Sequence, residues 1–295
     1  MLEAADCTFM KVTKGIWRKK SRKGYFKKKS VLGVLLAIVV ISVLFFYFSL
    51  LSLSNQTSEV FRFEAAVVDH VGLTLPNQTF IERATTILKE AGFTVDYYSG
   101  EKVTVEFYRK LPTHGYGLII LRVHSDAKAL FTSEPFNNTK YVYEQNTGQL
   151  AIAAYSEEAL RTGNVYFGIR PSFITKSMDG RFVNTRILMM GCEGLKDSNM
   201  AEAFVKKGAR VYISWSGLVS ATHTDQATVE LLKHLITEKQ TIKQAVTETM
   251  EKVGPDPVDG SILLYYPDTS VDDYAIPNLF IRMHARSQYY LNIKR

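Results

Sequence analysis

Cysteine is nearly missing from this chain: its 295 residues hold two, Cys7 and Cys192. A disulfide-stapled scaffold is therefore excluded, and the fold has to come from a packed core. Dinucleotide and nucleotide chemistry lack their marks, since no GxGxxG or Walker pattern follows a strand-like run. Ser214, Ser216 and Ser220 lack the Gly-x-Ser-x-Gly elbow of a serine hydrolase. The six histidines, His70, His114, His124, His223, His234 and His284, show no tight metal-ligand spacing, so neither a metal nor another cofactor is expected. Internal repeats and low-complexity segments are also absent.

What charge there is lies unevenly. Residues 1–30 carry ten Lys/Arg against two acids, a local net of +8, whereas the whole chain carries +7. Residues 31–295 therefore sum to −1, and the folded part is not a basic nucleic-acid binder. After this basic tail, Val31–Leu53 holds no charge for 23 residues. At 1.5 Å per residue it reaches roughly 34 Å, enough to cross a bilayer with some tilt. It is longer than the apolar region of a cleaved signal peptide, and aromatic residues flank both ends. The expectation is a signal-anchor span with the N-terminus cytoplasmic and the C-terminal domain outside, by the positive-inside rule. Three acceptor triplets follow it, at Asn55, Asn77 and Asn137, as an exported glycoprotein domain would carry.

Residues 54–62 read as a linker, and 63–295 as one α/β domain. Phe63–Val71, Phe93–Tyr98 and Gly117–Val123 are apolar runs of buried-strand length, separated by helical patterns at Thr79–Ala91 and Val103–Leu111. The rhythm then returns as strand Arg186–Met190, helix Asn199–Lys207, strand Val211–Trp215 and helix Ala227–Ile236. A further helix, Thr241–Met250, and a strand, Ser261–Tyr266, follow. Such alternation predicts a doubly wound, mostly parallel sheet with right-handed crossovers. Residues 127–182 lose this rhythm and read as a hairpin-rich insert, with short strands at Lys140–Tyr143, Leu150–Ala153 and Asn164–Gly168.

In open parallel sheets, chemistry sits beyond the C-terminal ends of the strands. His124 follows one such strand and Cys192 another, the latter inside the turn Gly191-Cys192-Glu193-Gly194. If these strands are neighbours, their ends lie about 5 Å apart. Hydrolysis of an amide needs a nucleophile, a proton donor for the leaving nitrogen, and donors for the oxyanion. Cys192 suits the first role, its thiolate favoured by the N-terminus of the following helix. His124 suits the second, and the backbone N–H groups of Ser125 and Cys192 the third. The bland alternative for a lone cysteine is a small, buried, inert side chain. Disulfide exchange is disfavoured, since Cys7 lies in the basic tail and no resolving cysteine accompanies Cys192.

The run ILMMGCEGLKDSNMAEAFVKKGARVYISWSG, with the helix after it, resembles the caspase-like cysteine peptidases of clan CD, closest to the CHAT and gingipain branches. The resemblance covers Gly117 to about Glu238. It implies Cys192 as nucleophile, His124 as general acid, and a peptide or protein substrate. The family has His-Gly where this chain has His124-Ser125, a departure that also suits a catalytically inactive domain used as a cell-surface binding or scaffolding module. The true His114-Gly115 pair precedes its strand and reads as a turn. The same resemblance puts Trp215 and Ser216 at the primary specificity pocket, with Asp126 and Asp225 as acids able to meet a basic substrate residue. Asp69-His70 ends the first strand on the same rim, as a helper or a capping pair.

Overall fold

The computed structural model describes residues 38–43, 61–268 and 275–276. The six residues 38–43 are helical and exposed, and belong to a unit separate from the α/β body. The rest of the expected span Val31–Leu53, the linker 54–60 and Asn55 lie outside the described residues. Among the described residues no helix is long and apolar enough to cross a membrane.

The body is built on a six-stranded mixed sheet in the order β2-β1-β3-β7-β8-β9. Its strands are β1 (Glu64–Asp69), β2 (Thr94–Ser99), β3 (Leu118–Arg122), β7 (Thr185–Met189), β8 (Ala209–Trp215) and β9 (Leu263–Tyr266). The first five are parallel and β9 runs antiparallel to β8. Side chains alternate across the pleat, so one strand feeds two cores. Ala65, Val67, Leu118, Ile120, Leu188 and Ile213 pack on one face. Ala66, Val68, Ile119, Leu121, Ile187 and Tyr212 pack on the other. Burial on both faces explains the unbroken apolar runs inside β1, β3 and β7, Ala65–Val68, Leu118–Leu121 and Ile187–Met189.

Helices α1 (Gln78–Glu90), α7 (Ala221–Leu232) and α8 (Ile242–Val253) cover the first face, and α2 (Val105–Lys110), α5 (Pro171–Lys176) and α6 (Asn199–Lys206) the second. Side-chain caps start several of them: Asn77 accepts from Phe80 N ahead of α1, and Thr241 with Gln244 forms a capping box ahead of α8. Helix α7 begins six residues before the apolar pattern predicts. Its first turns, ATHTDQ, hold few apolar residues, yet Thr224 and Asp225 are buried there on polar partners. Hydrogen bonding rather than grease docks this end.

The excursion between β3 and β7 forms a second, antiparallel sheet, β4 (Leu130–Pro135), β6 (Tyr166–Ile169) and β5 (Leu150–Ala153) in that order, with helices α3 (Val142–Asn146) and α4 (Glu157–Thr162). The strand expected at Lys140–Tyr143 is absent. Asn137 Oδ1 instead accepts from Thr139 N at 2.8 Å, and Tyr141 takes a left-handed φ of 49° that opens α3. An Asx turn and a left-handed residue cannot continue an extended chain.

Candidate active site

Strands β3 and β7 are neighbours, paired from Leu118↔Arg186 to Leu121↔Met189. His124 and Cys192 each stand three residues past the last of these pairs, and both line one cavity of about 380 Å³. Arg122, Leu75, Val219 and Ser220 share its wall. A larger apolar groove, about 750 Å³, runs between α8 and β9 and includes neither His124 nor Cys192.

The two strand ends are clasped together. Ser125 Oγ donates to the Cys192 carbonyl at 2.7 Å. Gly191 makes room for this approach: a Cβ there would meet Ser125 Oγ and the Val123 carbonyl oxygen, each at 2.3 Å. Gly194 is required in the same way, since a Cβ would stand 2.2 Å from Ser214 Oγ. The sharp bend itself falls to Glu193, whose φ is 58°. Its N–H donates to Gly217 O, and its carboxylate takes Ala127 N and Lys196 Nζ. Among the described residues, the N–H groups of Ser125 and Cys192 donate to no protein acceptor.

Cys192 is half-buried, with its thiol directed at the Val219 carbonyl, 3.5 Å away. Burial pushes its pKa up, and the charges of Glu193, Asp259 and Asp256 push the same way. Helix α6 begins at Asn199, seven residues on, so Cys192 is not part of its first turn. The expected resting thiolate is thus corrected to a thiol.

His124 Nε2 lies 2.8 Å from Thr74 Oγ1, while that hydroxyl lies 3.1 Å from the Val71 carbonyl. A hydroxyl has one hydrogen. Given to Val71, it leaves the oxygen to accept from Nε2–H, the tautomer that keeps a lone pair on Nδ1. Burial lowers the His124 pKa and Arg122 lowers it further, so the ring is neutral near pH 7. Two further rings hold it: His70 at 5.8 Å and Tyr155 at 5.0 Å between centroids, both edge-on. His70 is fully buried, hydrogen-bonds Tyr155 OH at 3.0 Å, and is pushed down to about 4 by burial and then by His124.

Beneath the cavity lies a buried ionic network that sequence reasoning missed. Arg122 donates to both oxygens of Asp225 (2.7 and 2.8 Å), to Asp69 (2.7 Å) and to the Leu75 carbonyl (2.9 Å). Asn77 Nδ2 adds a bond to Asp225 at 2.8 Å, and Tyr97 OH one to Asp69 at 3.2 Å. An arginine within the aliphatic run LIILRV was the available signal, because a charge in a buried strand requires partners.

The other expected site residues fall elsewhere. Asp225 is spent on Arg122 and Asn77, not on a substrate. Asp126 is exposed and caps the turn at Lys128 N and Ala129 N, both at 2.8 Å. Trp215 is 1 % exposed, packs in the first core, and donates its indole N–H to Thr224. It is not among the residues that line the cavity, so a pocket wall is replaced by core packing. Ser216 pairs with Ile262 through backbone and hydroxyl alike. Asn77 is the cap of α1, whereas Asn137 is exposed.

No protein-family model and no curated protein matches the chain. Among solved structures, the crystal structure of the Arg-specific cysteine proteinase gingipain R is similar at 12 % identity and a TM-score of 0.48, over 75 % of this chain and 49 % of that one. A complex of the pro- and mature domains of RgpB from Porphyromonas gingivalis is similar at 12 % identity and a TM-score of 0.43, over 66 % and 44 %. The chain thus spans about half the length of these proteinases, or less.

Proposed function

We propose that this chain is a cysteine peptidase of caspase-like type, cleaving peptide bonds through Cys192 and His124. The observation that carries it is the arrival of a thiol and a neutral imidazole at equivalent positions past two paired strands, in one cavity. In the proposed reaction the Cys192 S–H proton passes to His124 Nδ1 as sulfur bonds to the scissile carbonyl carbon. The unengaged N–H groups of Ser125 and Cys192 receive the oxyanion. The C–N bond then breaks, with the His124 proton going to the leaving amine and a thioester remaining. Water attacks that thioester, His124 takes its proton, and the acid product leaves as Sγ regains hydrogen. Thr74 holds the ring in the tautomer this sequence needs. The anchoring expected of Val31–Leu53, with the α/β domain outside the cytoplasm, belongs to the same proposal, and alkaline carbonate extraction of membranes tests it.

The enzymatic test uses the full chain and a fluorogenic peptide library. Cys192→Ala abolishes turnover, and His124→Ala lowers kcat/KM by about 10²–10⁴-fold, both with an unchanged melting midpoint. Undiminished hydrolysis in Cys192→Ala ends the peptidase reading. A second reading, a catalytically silent binding module, is favoured by the raised thiol pKa. It is the one supported if the wild type cleaves no member of the library and Cys192 resists alkylation until unfolding.

A further inference from the structure

We propose a divalent transition-metal site, suited to Zn²⁺, at the far end of α7, formed by His234, Glu238 and Glu248. It is independent of the peptidase reading. The sequence hides it because Glu248 lies on the next helix, ten residues past Glu238. After Leu232 the chain widens into a π turn, Lys233–Thr237, closed by Glu238 N to Lys233 O at 2.9 Å. This turn sets the Glu238 carboxylate 2.8 Å from His234 Nδ1, while α8 brings the Glu248 carboxylate to 3.5 Å from the same nitrogen. One donor atom from each residue lies within 4.8 Å of the other two. Around a tetrahedral ion with bonds near 2.05 Å, donors stand roughly 3.3 Å apart, so the two distances to Nδ1 bracket the required value. Gln240 Nε2 bonds both carboxylates, at 3.2 and 2.7 Å, and orients them.

The independent sign of a ligand is the other nitrogen. His234 is 6 % exposed, and its Nε2 is buried without a hydrogen-bond partner, as is Gln240 Oε1. Nδ1 faces the Glu238 carboxylate, and Nε2 faces Glu230 Oε1 at 3.5 Å without a hydrogen bond between them. A cation on Nδ1 takes that nitrogen's lone pair. It moves the ring proton to Nε2, which then donates to Glu230, the carboxylate–histidine–metal relay that orients metal-binding imidazoles. Glu230 is itself held for the task by Lys233 and Lys252. A nitrogen ligand beside two carboxylates favours Zn²⁺ and its neighbours over Ca²⁺ or Mg²⁺.

The test takes the full chain carrying Cys7→Ala and Cys192→Ala, which removes both thiols as competing ligands, strips it with chelator, and titrates it with ZnCl₂. Calorimetry is expected to show one Zn²⁺ per chain. At a hundredfold excess over Kd, the melting midpoint rises by roughly 5–10 °C. Glu248→Gln and His234→Gln each weaken binding at least tenfold, and Glu230→Gln by about 10–100-fold. CaCl₂ at the same concentration leaves the midpoint where it was. Glu248 is 44 % exposed, so its variant carries the test should His234→Gln fail to fold. No binding, affinity unchanged in Glu248→Gln, or equal stabilisation by Ca²⁺ overturns the proposal.

Discussion

Replacing Arg122 by methionine tests the platform on which His124 stands. The guanidinium is 1 % exposed and spends four hydrogen bonds on Asp69, Asp225 and the Leu75 carbonyl. Methionine fills much of the volume but strands two buried carboxylates, 3 % and 4 % exposed. Breaking a buried pair from one side costs about 3–5 kcal/mol, because the remaining charge keeps its desolvation penalty. With a urea m-value of about 3 kcal/mol/M, the unfolding midpoint should fall by about 1–1.7 M at constant m. The compensated variant Arg122→Met with Asp69→Asn and Asp225→Asn should recover most of that loss, since the stranded charges go with the cation. Equilibrium urea unfolding followed by tryptophan fluorescence reads all of this. A loss below about 1 kcal/mol in Arg122→Met would mean that the network behaves as a solvated surface pair, and the account of this platform would fail.

Two other outcomes follow from the site. Because burial raises the Cys192 pKa and lowers that of His124, the resting pair is thiol and imidazole at pH 7. Iodoacetamide alkylation should therefore be slow at pH 7 and keep rising beyond pH 9, whereas kcat/KM loses its acid limb only below 6.5, as His124 protonates. A thiol titrating near pH 5 contradicts this assignment. Gly191→Ala should cost about 1–3 kcal/mol in thermal unfolding and suppress turnover, because its Cβ meets the Val123 backbone oxygen at 2.3 Å. Wild-type stability and turnover in that variant would refute the close approach of the two strand ends.

Strands and helices were legible where burial alone decides them. The central runs Ala65–Val68 of β1, Leu118–Leu121 of β3 and Ile187–Met189 of β7 are apolar because both faces of the sheet are covered. His124 and Cys192 were legible for a related reason, as polar residues set where such runs stop. The illegible parts depend on partners far along the chain. Arg122 finds its acids 53 and 103 residues away, and Tyr155 reaches His124 from the insert. Thr74 touches His124 across 50 residues. No local periodicity announces such meetings. Trp215 shows the same limit: a strand's end was visible, but the face its last residue takes depends on register.

Ser125, set against the glycine of the family pattern, looks like a loss of backbone freedom. Its hydroxyl nevertheless ties the Cys192 carbonyl across the gap between two strands. Glycine at 125 would free the backbone while untying the two loops, so local freedom and cohesion of this cleft pull in opposite directions at one position. An engineer seeking a more typical sequence here should expect a slacker cleft.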